Sequence, residues 1–190
     1  QNLAGKKCLL RINLDVADPT QESLRLDAVI PTIKLLMAAG CQITILSHRG
    51  RPTGPNSSLS LEPLIKILNQ RVGGGLQWLE NLRFDPREQA NDDHLARELA
   101  LKGDFYVNDD FATSHRASAS LVAITRYLPS YAGLLLEKEL QNLSRVRDNP
   151  TPPLVVIIGG AKIEDKVAMI DRLASRAEAL IQVTPGFSPP

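Results

Sequence analysis

Basic and polar side chains placed directly behind apolar runs are the chemistry-bearing feature of this 190-residue chain. KKCLLRINLD closes on Asn13 and Asp15, and CQITILSHRGRP on His48, Arg49 and Arg51. DFYVNDDFATSHR delivers His115 and Arg116, and PLVVIIGGAK delivers Gly159, Gly160 and Lys162. In a parallel α/β sheet the ends of such runs gather on one edge, where ligands bind. Arg binds carboxylate and phosphate through a planar fork of donors, so Arg51 suits a doubly anionic small molecule. Gly50 permits a tight turn between His48 and Arg51. Gly159 and Gly160 let the backbone come close to a phosphate at a helix N-terminus, and Lys162 and Lys166, four apart, share one face of that turn. The GxxxxGK[ST] spacing is absent, so this is no Walker loop, and the missing GxGxxG after the first strand argues against a dinucleotide-binding dehydrogenase domain. Each feature also has a bland reading. SHRGRP could be a solvated loop and GGAK a generic αβ turn. Arg25 opens a helix, where a cation opposes the macrodipole, and reads by itself as a surface residue. Asp109 and Asp110 could form an acid/base pair, but read better as groups that cap or shape their loop.

Composition confines this chemistry to local sites. The chain is 43% hydrophobic and 23% charged, enough for one full core or for one domain plus part of another. With 22 basic and 21 acidic residues it carries no bulk field toward nucleic acid or membrane. No apolar run approaches the roughly 18 residues of a membrane span, and the start QNLAGKK does not resemble a signal peptide. Cys8 and Cys41 lie inside apolar runs, where a free thiol packs as a small hydrophobe; a disulfide between them is possible on sequence grounds, but two cysteines make no framework, and a reducing cytoplasm is the favoured reading.

The elements that must position these groups follow from periodicity. Strands are expected at Cys8–Leu14, Gln42–Leu46, Asp104–Asn108, Leu154–Ile158 and Ala179–Val183. Between them lie helical patterns from about Leu24 to Ala39, Ser60 to Arg71, Asn91 to Lys102, Ala132 to Arg147 and Glu164 to Glu178. Pro31 should bend the first helix or mark a boundary. Such alternation argues for an α/β fold, a doubly wound parallel sheet with flanking helices in three αβα layers. A first β-α-β unit of an incomplete second domain follows. The division expected is a domain over 1–131, a connecting helix and linker over 132–153, a partial second domain over 154–183 and a Pro/Gly-rich tail over 184–190.

The blocks LLRINLDV, SHRGRP, LENLRF, YVNDDFATSHRASAS, PSYAGLLLEKEL and IIGGAKIEDK, in that order, resemble phosphoglycerate kinase from about Lys7 to Ile181. The resemblance is to the phosphoglycerate-binding half of that family plus the opening of its nucleotide-binding half, with 132–147 as the connector between the two. It implies reversible phosphoryl transfer between ATP and 3-phosphoglycerate, giving 1,3-bisphosphoglycerate and ADP, in glycolysis and its reversal. It also implies a cytoplasmic monomer with no nucleic acid or membrane partner. Substrate-binding roles are implied for Asn13, Asp15, Arg25, His48, Arg51 and Arg116, and catalytic roles for Arg25 and Lys162. Nucleotide contacts are implied for Gly159, Gly160, Ala161, Lys162 and Lys166. ATP/ADP would act with Mg2+, whose acidic ligand belongs to the part of the family pattern this sequence lacks; no metal ligand is assigned within the chain. The acceptor is a carboxylate, already ionised at neutral pH, so no general base is needed.

Departures from the family pattern are concentrated at the site. Asn13 and Asp15 invert the usual Asp-then-Asn order, Pro152 stands where an arginine is usual, and Asp110, Ala112 and Ser118 replace other residues. Around Gly73–Gly75 a helix-and-strand segment is missing. The expectation is therefore a truncated or shortened phosphoglycerate kinase whose activity needs the missing half. The alternative is a non-catalytic relative that binds an anionic metabolite or a protein partner.

Overall fold

Apolar residues of the first strand, β1 (Lys7–Arg11), are buried on both sides, which is why its sequence runs Cys-Leu-Leu instead of alternating. The computed structural model describes residues 2–18, 23–159 and 167–183. β2 (Gln42–Leu46), β3 (Gln77–Trp78), β4 (Phe105–Asn108) and β5 (Ser130–Ala132) join β1 in one parallel sheet of order β3-β2-β1-β4-β5. The register pairs Leu10 with Ile45 on one side and with Val107 on the other. Strand order reverses direction at β1, so the C-terminal ends of β1, β2 and β4 meet where an open α/β sheet takes its ligand.

Five helices accompany this sheet: α1 (Ser23–Ala38), α2 (Glu62–Val72), α3 (Pro86–Gln89), α4 (Asp93–Ala100) and α5 (Leu134–Asp148). One core layer packs Cys8, Leu10 and Ile45 against Leu26 and Ile33 of α1 and Leu64 and Leu68 of α2. The other packs Leu9 and Tyr106 against Leu95, Ala96 and Leu99 of α4. The alternation of Cys8, Leu9 and Leu10 between the two clusters makes the sheet the middle of three layers, as the sequence implies. Asp92 caps α4 by accepting from the Leu95 N–H at 2.8 Å. α1 runs unbroken through Pro31, whose ring stands on an exposed position.

Differences from the sequence reading fall at short elements. β1 ends at Arg11, three residues before the expected Leu14, because beyond it the backbone turns to side-chain partners: the Leu14 N–H donates to Ser47 Oγ at 3.0 Å. Ala132, expected to start the connecting helix, closes β5 instead, and the helix begins after Gly133. Three residues are too few to show a period, so β5 is set only by pairing with β4, Val107 opposite Tyr131. Gly133 is required there, since a Cβ would come within 2.7 Å of Asp109 Cβ. A single 3-10 turn, Ala123–Arg126, precedes Pro129.

The chain divides into two compact units, residues 1–139 and 140–190, so the division falls inside α5. In the second unit β6 (Val155–Gly159) and β7 (Ala179–Val183) form a parallel pair, with α6 (Val167–Ala174) between them in sequence. Ile157, Ile181 and Val183 of that pair are exposed. Both cysteines are free, Cys8 buried and Cys41 partly so, and burial pushes the Cys8 thiol up to about 12. No helix among the described residues is long and apolar enough to cross a membrane.

Candidate functional site

The segments that follow β1, β2 and β4 lie side by side and are stitched together by side chains. After β1, Asn13 accepts the Asp15 N–H on Oδ1 and donates from Nδ2 to Asp110 Oδ1 at 3.0 Å. Asp15 Oδ1 in turn accepts the Gly50 N–H at 2.7 Å, tying the end of β1 to the loop after β2. Gly50 has φ +65°, the left-handed turn expected between His48 and Arg51, and a Cβ there would meet Leu59 at 2.9 Å. Arg25, in the first turn of α1, donates from Nη1 to the Asp15 carbonyl at 2.6 Å and lies 3.4 Å from Asn13 Oδ1. Asn13, Asp15, Arg25 and His48 are thus brought into one constellation.

Arg49, grouped with the ligand-binding residues by its position in the loop, does something else. Its buried guanidinium donates to the carbonyls of Val16, Ala17, Ser58 and Ser60, so it clamps the loop. Arg51 and Arg116 are exposed, and neither forms an ion pair with a carboxylate among the described residues. His115 is exposed beside them. The two acids at the end of β4 have structural partners. Asp109 Oδ1 accepts from the N–H groups of Leu135 and Leu136 and so caps α5. Asp110 caps the turn Phe111–Thr113 and pairs with Arg11 at 2.9 Å.

A fourth guanidinium, absent from the sequence reading, completes the cluster. Arg83 lies in the 3-10 turn Leu82–Phe84 that Asn81 caps. Asn81 is 2% exposed; its Oδ1 accepts the Arg49 N–H, and its Nδ2 donates to the Arg49 carbonyl at 2.7 Å. That stitch sets Arg83 against the loop after β2, where its Nη1 donates to the Gly50 carbonyl at 2.7 Å. Burial first, then the charge of Arg116, pull the Arg83 guanidinium below its usual range; Arg11 and Arg51 add to this and Asp15 opposes it. Three like charges and one carboxylate therefore act on a buried cation. The signal in the sequence was an Asn-Leu-Arg-Phe run, a charged side chain inside an apolar stretch, a placement that needs a partner.

Asp15 and His48 are perturbed together. The imidazole of His48, 3.6 Å from Asp15 Oδ2, and the Gly50 N–H hold the Asp15 carboxyl down at about 2. Burial pushes His48 below its ordinary value, against the pull of Asp15. The constellation therefore rests with an ionised carboxylate, a neutral imidazole and several guanidinium groups at one sheet edge.

Gly159 ends β6 in the second unit and is exposed. Gly160, Ala161, Lys162 and Lys166 lie outside the described residues. Among the described residues no group of three or more His, Cys, Asp or Glu is arranged to hold a metal ion. Both oxygens of Asp15 and of Asp110 face donors already in place.

A parallel sheet of this order, with arginine side chains behind its strand ends, places the chain among the doubly wound α/β proteins. Within that class the comparisons are specific: the family model for phosphoglycerate kinase matches residues 1–78 and 69–184, and the chain belongs to that family. The phosphoglycerate kinase of Chloroflexus aggregans is 39% identical over 208 residues, covering 94% of this chain and 52% of that protein. That of Fervidobacterium nodosum is 36% identical over 207 residues, covering 95% of this chain and 52% of that protein. Among solved structures, the phosphoglycerate kinase of Coxiella burnetii superposes with a TM-score of 0.87 at 31% identity, over 96% of this chain and 52% of that one. That of Pyrococcus horikoshii gives 0.84 at 27% identity, over 97% of this chain and 54% of that one. The chain spans about half the length of the relatives it matches.

Proposed function

We propose that this chain carries the acceptor side of a phosphoglycerate kinase site. It binds 3-phosphoglycerate at the edge formed by Arg25, His48, Arg51, Arg83 and Arg116. Together with a complete nucleotide-binding half, it takes part in reversible phosphoryl transfer from ATP. One observation supports the reading most directly: Arg83 is buried among the charges of Arg116, Arg11 and Arg51 with Asp15 as the one carboxylate acting on it. An excess of like charge there is relieved when an anion arrives.

The acceptor carboxylate is ionised at neutral pH, so no proton has to be removed before attack. Its oxygen forms a bond to the γ-phosphorus of ATP, the bond from that phosphorus to the bridging oxygen breaks, and ADP leaves. Catalysis is then alignment and charge neutralisation. The family resemblance assigns Arg25 to the transferring group and Lys162 to the donor phosphates; Arg25 Nη1 reaches the Asp15 carbonyl and Asn13 Oδ1. Bound with the nucleotide, Mg2+ would offset phosphate charge.

The alternative is a relative that binds an anion without transferring a phosphoryl group. Asp15 favours it, since an ionised carboxylate beside His48 subtracts from the positive field of the edge. Calorimetric titration with 3-phosphoglycerate and an ATP-coupled turnover assay separate the readings. Binding with turnover supports the kinase, binding without turnover supports the alternative, and the absence of binding removes both. Arg51→Ala is expected to weaken 3-phosphoglycerate at least tenfold, the equivalent of about 1.4 kcal/mol for one lost charge-assisted contact.

A further inference from the structure

We infer that Arg11 is a positioning residue for His48: its guanidinium holds the imidazole in the neutral form that carries its proton on Nε2, so the ring presents a donor toward the anion site. The inference concerns the state of His48 and rests on the proposed function only for what the donor meets.

Arg11 ends β1, and its side chain is 2% exposed. A guanidinium has donors and no acceptor. Its Nη2 stands 2.7 Å from His48 Nδ1, so that nitrogen must accept through its lone pair. A neutral imidazole then has its proton on Nε2, the atom that faces Asp15 Oδ2 at 3.6 Å. A second proton on Nδ1 would set an N–H against the guanidinium donors. Arg11 has no freedom to turn away. Its Nε donates to Ser120 Oγ at 3.2 Å, and that hydroxyl donates to Glu88 Oε1 at 2.6 Å. Its Nη1 donates to the Ile12 carbonyl at 2.5 Å and pairs with Asp110 Oδ2 at 2.9 Å. Residues from three other parts of the fold, α3, the turn after β4 and the segment before the Ala123–Arg126 turn, thus fix one side chain that in turn fixes another.

The charged groups facing His48 are Arg11 at the end of β1, Asp15 just beyond it, Arg83 from the turn after β3 and Asp110 from the segment after β4. Asp15 and Asp110 favour the imidazolium, while Arg11, Arg83 and burial oppose it. Asp110 is already paired with Arg11, which leaves Asp15 as the carboxylate not spent on another cation. His48 accordingly stays a neutral Nε2–H donor through the range where a free imidazole, with its pKa near ~6.5, would take up a proton.

The test is a long-range proton–nitrogen correlation spectrum of the full chain labelled with 15N-histidine, recorded from pH 5.5 to 8.5, with His48→Gln used only to assign the signal. The expected result is one invariant pattern, Nε2 protonated and Nδ1 bare. A signal that titrates across this range, or that shows the proton on Nδ1, overturns the inference. Arg11→Met would strand Asp110, so the informative variant is Arg11→Gln with Asp110→Asn, which removes both charges together. In it His48 should lose its invariant pattern and take up a proton at higher pH than in the wild type, with imidazolium below that transition and mixed neutral tautomers above it. Arg11→Lys keeps the charge but offers one nitrogen where Arg11 uses Nη1 for Asp110 and Nη2 for His48, and should show the same mixture. If either folded variant keeps the wild-type pattern, Arg11 is not what sets it. A titration with 3-phosphoglycerate separates this from the functional reading: the expected tautomer in a protein that binds no 3-phosphoglycerate keeps this inference and removes that reading.

Discussion

Removing the carboxylate of Asp110 strands a buried cation, and the cost follows from the burial of the pair. Asp110 is fully buried, Arg11 is 2% exposed, and 2.9 Å separates them. Asp110 also accepts from Asn13 Nδ2 and from the Thr113 N–H and hydroxyl, so Asp110→Ala deletes the acceptor of four groups at once. Deleting one member of such a pair costs about 3–5 kcal/mol, because the other charge stays desolvated and unpaired. A domain is stable by only about 5–15 kcal/mol, so the loss is a large share. With a urea dependence near ~2 kcal/mol per molar, the midpoint should fall by about 2 M. The chain has one tryptophan, Trp78 in β3, so its fluorescence reports the five-stranded unit alone. Lys66→Ala is the control. The Lys66–Glu62 contact is as short at 2.8 Å but 69% and 54% exposed, and its loss should cost no more than about 0.5 kcal/mol, or about 0.25 M in midpoint. Arg11→Met with Asp110→Leu should recover most of the loss, since an apolar pair leaves no charge behind. An Asp110→Ala midpoint within about 0.5 M of wild type, or a double variant no better than the single, would refute the account of this pair.

Two further outcomes are expected. Tyr106 is 1% exposed and its hydroxyl has no hydrogen-bond partner among the described residues, so Tyr106→Phe should leave stability unchanged or raise it by up to about 1 kcal/mol, and a loss larger than that in the same urea titration would mean the hydroxyl has a partner. Asp15 is held at about 2, below its ordinary 3.8, so its contribution to stability is complete above pH 3.8 and is lost as pH falls toward 2; Asp15→Asn should remove that acid-dependent part, and an unchanged difference in unfolding midpoint between pH 5 and pH 2.5 would count against it.

Much of this was legible in the residues. The extents of α1, of α4 and of strand Gln42–Leu46 each carry a local signal, and the structure places them within a residue or two of expectation. The strand-end residues Asn13, Asp15, His48 and Arg51 were legible for the same reason, because the end of a parallel strand marks the ligand edge whatever the pairing. Arg83 was not. Its importance comes from Asn81, which bridges two loops 32 residues apart, and no local pattern reports such a bridge. Arg49 shows the converse error: its type and position suggest a ligand-binding group, yet four carbonyls claim its donors.

The sequence alone determined the layer architecture and which loops carry basic chemistry, because periodicity and strand-end placement are properties of a few neighbouring residues. Tertiary structure decided which of those side chains remain available to a ligand. The same guanidinium group is a clamp in Arg49, a buried scaffold in Arg11 and an exposed cation in Arg51. The physical reason is that a side chain's role depends on its burial and on partners far along the chain, such as the 109 residues between Arg11 and Ser120, and only folding brings those together.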